Sequence, residues 1–190
     1  DGRCSLSIAC YSNTRLLKSD SNLSLINCLL GKYTTIEPSK QYRCDGPIQW
    51  ICQSKSPQIT ALFFSYKKSG LKFNLHRIGS NGYYGPSILR SCDDVDDAID
   101  IFQILLNEGF DINSFDLLHK VPSILELYVK DIHKNLRMIK FLLDHGADPL
   151  IPWVEQENNP DVNNIVSILD YVTQVEQADS LRKLFFNESK

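Results

Sequence analysis

Six cysteines and four histidines are the side chains in this sequence best suited to chemistry. Cys4, Cys10, Cys28, Cys44, Cys52 and Cys92 include no Cys-x-x-Cys pair. His76, His119, His133 and His145 form no His-x-x-x-His pair and stand at no zinc spacing from a cysteine. A thiol nucleophile needs a histidine brought to it by the fold, because such partners are neighbours in space and not in sequence. No nucleophile elbow or local cysteine signature marks one here. Gly79-Ser80-Asn81-Gly82 lacks the Lys-Ser or Lys-Thr pair that completes a phosphate-cradling loop. The expectation is a non-enzyme with no cofactor and no metal. Cys10, Cys28 and Cys52 lie in apolar periodic segments, where a free thiol behaves as a small hydrophobe. That usage fits a reducing compartment, cytoplasmic or nuclear, better than a disulfide scaffold.

Charge narrows the partners. Twenty basic residues against 23 acidic ones give a net charge of −3. That balance offers no basic field for nucleic-acid phosphates. No run of about 18 uncharged apolar residues is present to span a membrane. The chain opens at Asp1-Gly2-Arg3 with no signal-peptide pattern and no polar cap, which leaves room for more of the same architecture upstream. The expected partner is another protein or a peptide segment, met by a monomer.

Several polar and aromatic groups could recognise such a partner. Asp93, Asp94, Asp96, Asp97 and Asp100 read first as the acidic start of the helix running through Leu106, and second as a patch for a basic surface. His145 falls in the last turn of a helix, where a cation suits the helix dipole. Tyr83, Tyr84 and Trp153 lie in polar connecting segments. Exposed there they would anchor an interface; folded back they would cover the core.

The elements that position these groups announce themselves by repetition. Leu25-Ile26…Leu29-Leu30, Ile101-Phe102…Leu105-Leu106 and Met138-Ile139…Leu142-Leu143 each place apolar residues at i, i+1, i+4 and i+5, one face of a helix. Weaker copies are Ile59…Phe63-Phe64 and Leu181…Phe185-Phe186. Leu143 is expected in the core between such stripes. A shorter helix precedes each, anchored in turn by Leu6, Ile48, Ile88, Ile124 and Ile168. Gly109 and Gly146 follow two of the stripes, where a helix takes a left-handed cap. Segments near 33–45, 75–85, 114–121 and 151–164 are rich in turn residues and read as connecting fingers.

The opening Asp1-Gly2-Arg3-Cys4-Ser5-Leu6-Ser7-Ile8-Ala9-Cys10 resembles the start of an ankyrin repeat. The endings Gly109-Phe110-Asp111-Ile112-Asn113 and Gly146-Ala147-Asp148-Pro149 resemble its second helix and exit turn. The Thr-Pro-Leu-His box never appears intact, so the copies are divergent. The resemblance implies an all-α helical repeat solenoid, a single domain with repeats near 1–42, 43–80, 81–116, 117–152 and 153–190. It implies an adaptor or scaffold that binds through a concave face and its fingers. The alternative is a targeting segment of a larger enzyme or host-directed effector. In that fold Trp50, Arg90, Glu126 and Asp170 would share one column facing the concave side, with a one-residue slip in register as the competing explanation. Asn113 resembles a position at which ankyrin asparagines are hydroxylated, but is expected simply to bond its own turn.

Overall fold

The computed structural model describes residues 8–10, 20–32, 45–71, 73–130, 132–154, 167–174, 182, 183 and 185. Two compact units divide the chain, Asp1–Phe110 and Asp111–Lys190. Among the described residues the protein is all-α. β pairing is confined to three isolated antiparallel bridges, Ile78–Tyr84, Asp116–Val121 and Pro152–Ser167.

In the first unit, α1 spans Asp20–Leu30, α2 Pro47–Ser54 and α3 Pro57–Lys68. A 3-10 helix over Gly85–Ser91 and α4 over Val95–Asn107 follow. Pro47 and Pro57 stand in the first turns of their helices, where a missing N–H costs nothing. Ser56 caps α3 by accepting the Ile59 N–H at 3.3 Å. Asp94 caps α4 through the Asp96 N–H at 2.8 Å, so the aspartate cluster does start a helix. The buried face of α3 is Ile59, Thr60, Phe63 and Phe64, and that of α4 is Ala98, Ile101, Phe102 and Leu105. Helix α3 packs between α1 and α4, while α2 packs on the 3-10 helix and on α3. Short first helices thus form one layer of this unit and longer second helices the other.

The second unit contains α5 (Ile124–Val129), α6 (Ile132–Asp144) and α7 (Ile168–Gln174). Every residue of α5 is buried. It packs on both α6 and α7, so its polar members need partners inside the protein. Ser167 and Asp170 cap α7 reciprocally: the Ser167 N–H donates to Asp170 Oδ2 at 3.0 Å and the Asp170 N–H to Ser167 Oγ at 3.2 Å.

Three local arrangements recur along the chain. The first is the helix exit. Gly70, Gly109 and Gly146 adopt φ of 108°, 90° and 88°, a left-handed cap open to glycine. The residue after each, Leu71, Phe110 or Ala147, is buried and donates its N–H five residues back, to Tyr66, Leu105 or Leu142. The second arrangement ties the third residue of a first helix to the finger 28 positions later. Gln49 Nε2 donates to the Arg77 carbonyl at 2.7 Å, and Glu126 Oε2 accepts from the Val154 N–H at 3.1 Å. The third spans 35 positions. The Ser80 N–H donates to Asp45 Oδ1 at 2.9 Å, and the Asp148 N–H to Asn113 Oδ1 at 2.8 Å.

Other expectations change. The first helix near Ile88 is a seven-residue 3-10 turn and not an α-helix. Gly85 accounts for its tight seat, because a Cβ there would lie 2.8 Å from Ile48 Cγ1. Leu143 is half-buried, and Leu142 occupies the fully buried place instead. The expected helix around Leu6, the finger over 33–44, the chain over 155–166 and most of the closing helix at 178–186 lie outside the described residues.

Candidate partner-binding surface

The column of Trp50, Arg90, Glu126 and Asp170 does not survive. Gln49, Glu126 and Asp170 are the third residues of α2, α5 and α7, so Trp50 sits one place out of register and Arg90 further. The physical reason is the helix start: the third position is where a side chain can reach back to the free N–H groups of the first turn. Gln49 does so through Gly46 N–H at 2.9 Å, and Asp170 through Ser167.

Burial separates the seven candidates further. Trp50 is 6 % exposed within α2, whose residues 47–52 are all buried, so it packs in the core and is not an open anchor. Tyr84 pairs with Ile78 and is 7 % exposed, whereas its neighbour Tyr83 is half-buried. Trp153 is likewise buried, stacked on Tyr171 with centroids 4.5 Å apart. Tyr84 and Trp153 therefore cover the core. Arg90 is exposed and Asp170 is half-buried on its cap.

Glu126 is fully buried. Its Oε1 lies 3.2 Å from Lys130 Nζ, one helical turn on, and that ammonium lies 4.9 Å from the Trp153 ring centroid. The expected acidic surface residue is thus the centre of a compensated interior network.

The fingers hold what sequence reasoning missed. Asp116 and Val121 exchange backbone hydrogen bonds of 2.9 and 2.8 Å. Asp116 also accepts the His119 N–H at 3.0 Å, and its Oδ2 lies 2.6 Å from His119 Nδ1. That contact holds the Asp116 carboxyl below the ordinary carboxylate range. Between these ties stand Leu117, 56 % exposed, and Leu118, 85 % exposed. A well-bonded turn therefore presents two leucines to solvent. Leu150, 64 % exposed, follows the next exit turn, with its N–H on Asp148 Oδ1 at 2.8 Å. No sequence pattern separates these leucines from core ones; the one hint was Asp-x-x-His closing a turn.

Asn113 corrects another expectation. Its side chain bonds the next exit turn and not its own: Nδ2 donates to the Gly146 carbonyl at 3.0 Å, and Oδ1 takes the Asp148 N–H. Its own turn is closed from Asp111, whose Oδ1 accepts the Asn113 N–H at 2.9 Å. His145 stands one residue past the end of α6 and not in its last turn, with Nδ1 2.8 Å from the Phe141 carbonyl and its ring against Phe141.

Cys10 and Cys52 are buried free thiols, and burial pushes the Cys52 thiol far up, away from the thiolate. Cys92 is raised by the same cause. Among the described residues no group of three or more His, Cys, Asp or Glu could hold a metal ion, and no helix is long and apolar enough to cross a membrane. An open groove of about 430 Å³ runs between α1 and α3, past Leu23, Asn27, Ala61 and Ser65. No protein-family model matches the chain, and no curated protein matches its sequence.

Proposed function

We propose that this chain is a divergent ankyrin-type solenoid that acts as a protein–protein interaction module, an adaptor or scaffold, through the tips of its fingers. Support for the repeat reading comes from the left-handed exits at Gly70, Gly109 and Gly146 and from the paired contacts at intervals of 28 and 35 residues. Each helix pair has an apolar face that one more pair can cover, so stacking is the economical way to bury all of them. Support for the binding reading rests on one observation, the hydrogen-bonded turn that keeps Leu117 and Leu118 in water. Burying both side chains in a partner would contribute about 3 kcal/mol before association costs. Exposed apolar groups mark interaction sites when they cluster.

The test compares affinity capture by the wild-type chain and by Leu117→Ser/Leu118→Ser, read by mass spectrometry. The reading expects proteins retained by the first and lost by the second, with the far-ultraviolet circular dichroism of both unchanged. Identical sets of captured proteins would overturn it.

A further inference from the structure

We infer that Asn81 is a site of spontaneous covalent modification, at which the Gly82 main-chain nitrogen attacks the Asn81 side-chain amide and the residue becomes aspartate or isoaspartate. The site lies in the finger of the first unit and needs no partner. Asn81 is exposed there, and it forms the one Asn-Gly pair in the sequence. With no side chain at 82, nothing on that residue shields the attacking nitrogen, and glycine leaves the main chain free to reach the closing geometry. Asn81 Oδ1 accepts the Tyr83 N–H at 3.0 Å. That bond closes a ring containing the Gly82 nitrogen, so the side-chain amide is folded back along its own main chain. It also draws electron density from Cγ, the atom attacked. Gly82 holds φ at 81°, and its N–H donates to the Gly79 carbonyl at 3.0 Å, so the attack gives up one bond of the turn.

Water is the only co-reactant. The Gly82 nitrogen forms a bond to Asn81 Cγ, the Cγ–Nδ2 bond breaks, and the proton of that nitrogen, relayed through water, leaves with Nδ2 as ammonia. Water then opens the cyclic succinimide. Breaking the bond from nitrogen to Cγ leaves aspartate. Breaking the bond from nitrogen to the main-chain carbonyl carbon leaves isoaspartate, with an extra methylene in the main chain. Asn74 and Asn113 set the comparison. Asn74 forms the same ring, its Oδ1 accepting the His76 N–H at 2.9 Å, but the next residue is Leu75, whose side chain is buried. Asn113 precedes the small Ser114, but its Nδ2 donates to the Gly146 carbonyl and its Oδ1 accepts the Asp148 N–H, which holds the amide away from its own main chain. Asn81 alone joins that ring to a following glycine. Isoaspartate would lengthen a turn closed by the Gly79 N–H on the Tyr83 carbonyl at 2.8 Å and by the Ile78–Tyr84 bridge, and Tyr84 covers the core. A carboxylate at 81 also meets like charge. A Cβ at Gly79 would lie 3.1 Å from Asp45 Oδ1 and 3.2 Å from Asn81 Oδ1, so the new charge would sit near the Asp45 carboxylate that holds Ser80.

The full chain, freshly purified, is kept in mildly alkaline buffer, with a parallel sample in guanidinium chloride. Both are then digested at acidic pH and mapped by mass spectrometry, and isoaspartate is counted by enzymatic methyl transfer from S-adenosylmethionine. In the folded chain the modification is expected at Asn81 ahead of Asn74 and Asn113. In denaturant, where its ties to Gly146 and Asp148 are gone, Asn113 should be modified as well. Asn81→Gln keeps a side-chain amide but demands a larger ring, and should lower the methyl acceptance of the folded chain. The modified fraction, separated by anion exchange through its added charge, should unfold at lower urea than the unmodified one. Asn81 intact in the folded chain while the denatured chain converts it, Asn113 modified ahead of Asn81 in the folded chain, or methyl acceptance undiminished in Asn81→Gln would overturn the inference. A modified fraction as stable as the unmodified one would overturn the loosening of the finger.

Discussion

Glu126→Ala should be among the most damaging single changes in the second unit, although Glu126 is a charged residue in a chain full of them. The side chain is fully buried and does two jobs. Oε2 accepts the buried Val154 N–H at 3.1 Å, and Oε1 faces Lys130 Nζ at 3.2 Å. Removing it orphans the Val154 N–H, a loss of about 1–3 kcal/mol. It also strands the Lys130 ammonium near Trp153. Because the Lys130 side chain is 21 % exposed and can swing toward water, that second loss is discounted to about 1 kcal/mol. The sum is about 2–4 kcal/mol, which for a chain of this size lowers the thermal midpoint by roughly 4–16 °C. Glu126→Gln keeps the acceptor for Val154 and should lose only about 1 kcal/mol. Glu126→Leu with Lys130→Met should recover only the share lost at Lys130, about 1 kcal/mol, because the Val154 N–H still lacks its acceptor. The comparison that decides the matter is Lys140, whose contact with Asp144 is shorter, 2.7 Å, but has both side chains more than half exposed. Lys140→Ala should move stability by no more than about 0.5 kcal/mol. Urea unfolding followed by circular dichroism measures all of these. A Glu126→Ala variant as stable as Lys140→Ala would refute the buried network.

Gly85→Ala should destabilise the first unit by about 1–3 kcal/mol in urea unfolding, because the new Cβ would press on Ile48 side chain and backbone at 2.8–3.1 Å. Asn113→Ala removes both bonds to the next exit turn and should reduce stability by about 1–2 kcal/mol, with faster amide exchange at Asp148 than elsewhere in that turn. The Asp116 carboxyl should titrate below its ordinary 3.8 by NMR, and His119→Ala should raise it. A folded-state value below the unfolded one means that the contribution of this contact is present above the ordinary range and fades as pH falls through the lowered value. Acid should therefore loosen the tip.

The parts of the fold legible in the sequence were those written in local patterns. Gly109 and Gly146 stand out because an aspartate follows each two residues later and closes the next turn. Gly70 ends its helix in the same way but is followed by Leu-Lys-Phe-Asn, which carries no such aspartate mark. The candidate site was far less legible, because burial is decided by distant neighbours. Trp50 and Trp153 have the composition of interface anchors and are core residues. Glu126 looks like an intruder in an apolar helix until Val154, 28 positions away, supplies its partner. Asn113 likewise spends its amide 33 and 35 positions away. Leu117 and Leu118 have core composition, and are exposed because Asp116 and Val121 close the turn beneath them.

Site-specific photo-crosslinking tests the central claim most directly. A benzoylphenylalanine placed at Leu118, in the cells that make the protein, is predicted to give one discrete adduct, whereas the same group at exposed Ser69 beyond α3 gives none. Equal labelling from both positions, or no adduct at 118, would contradict a partner seated on the finger tip.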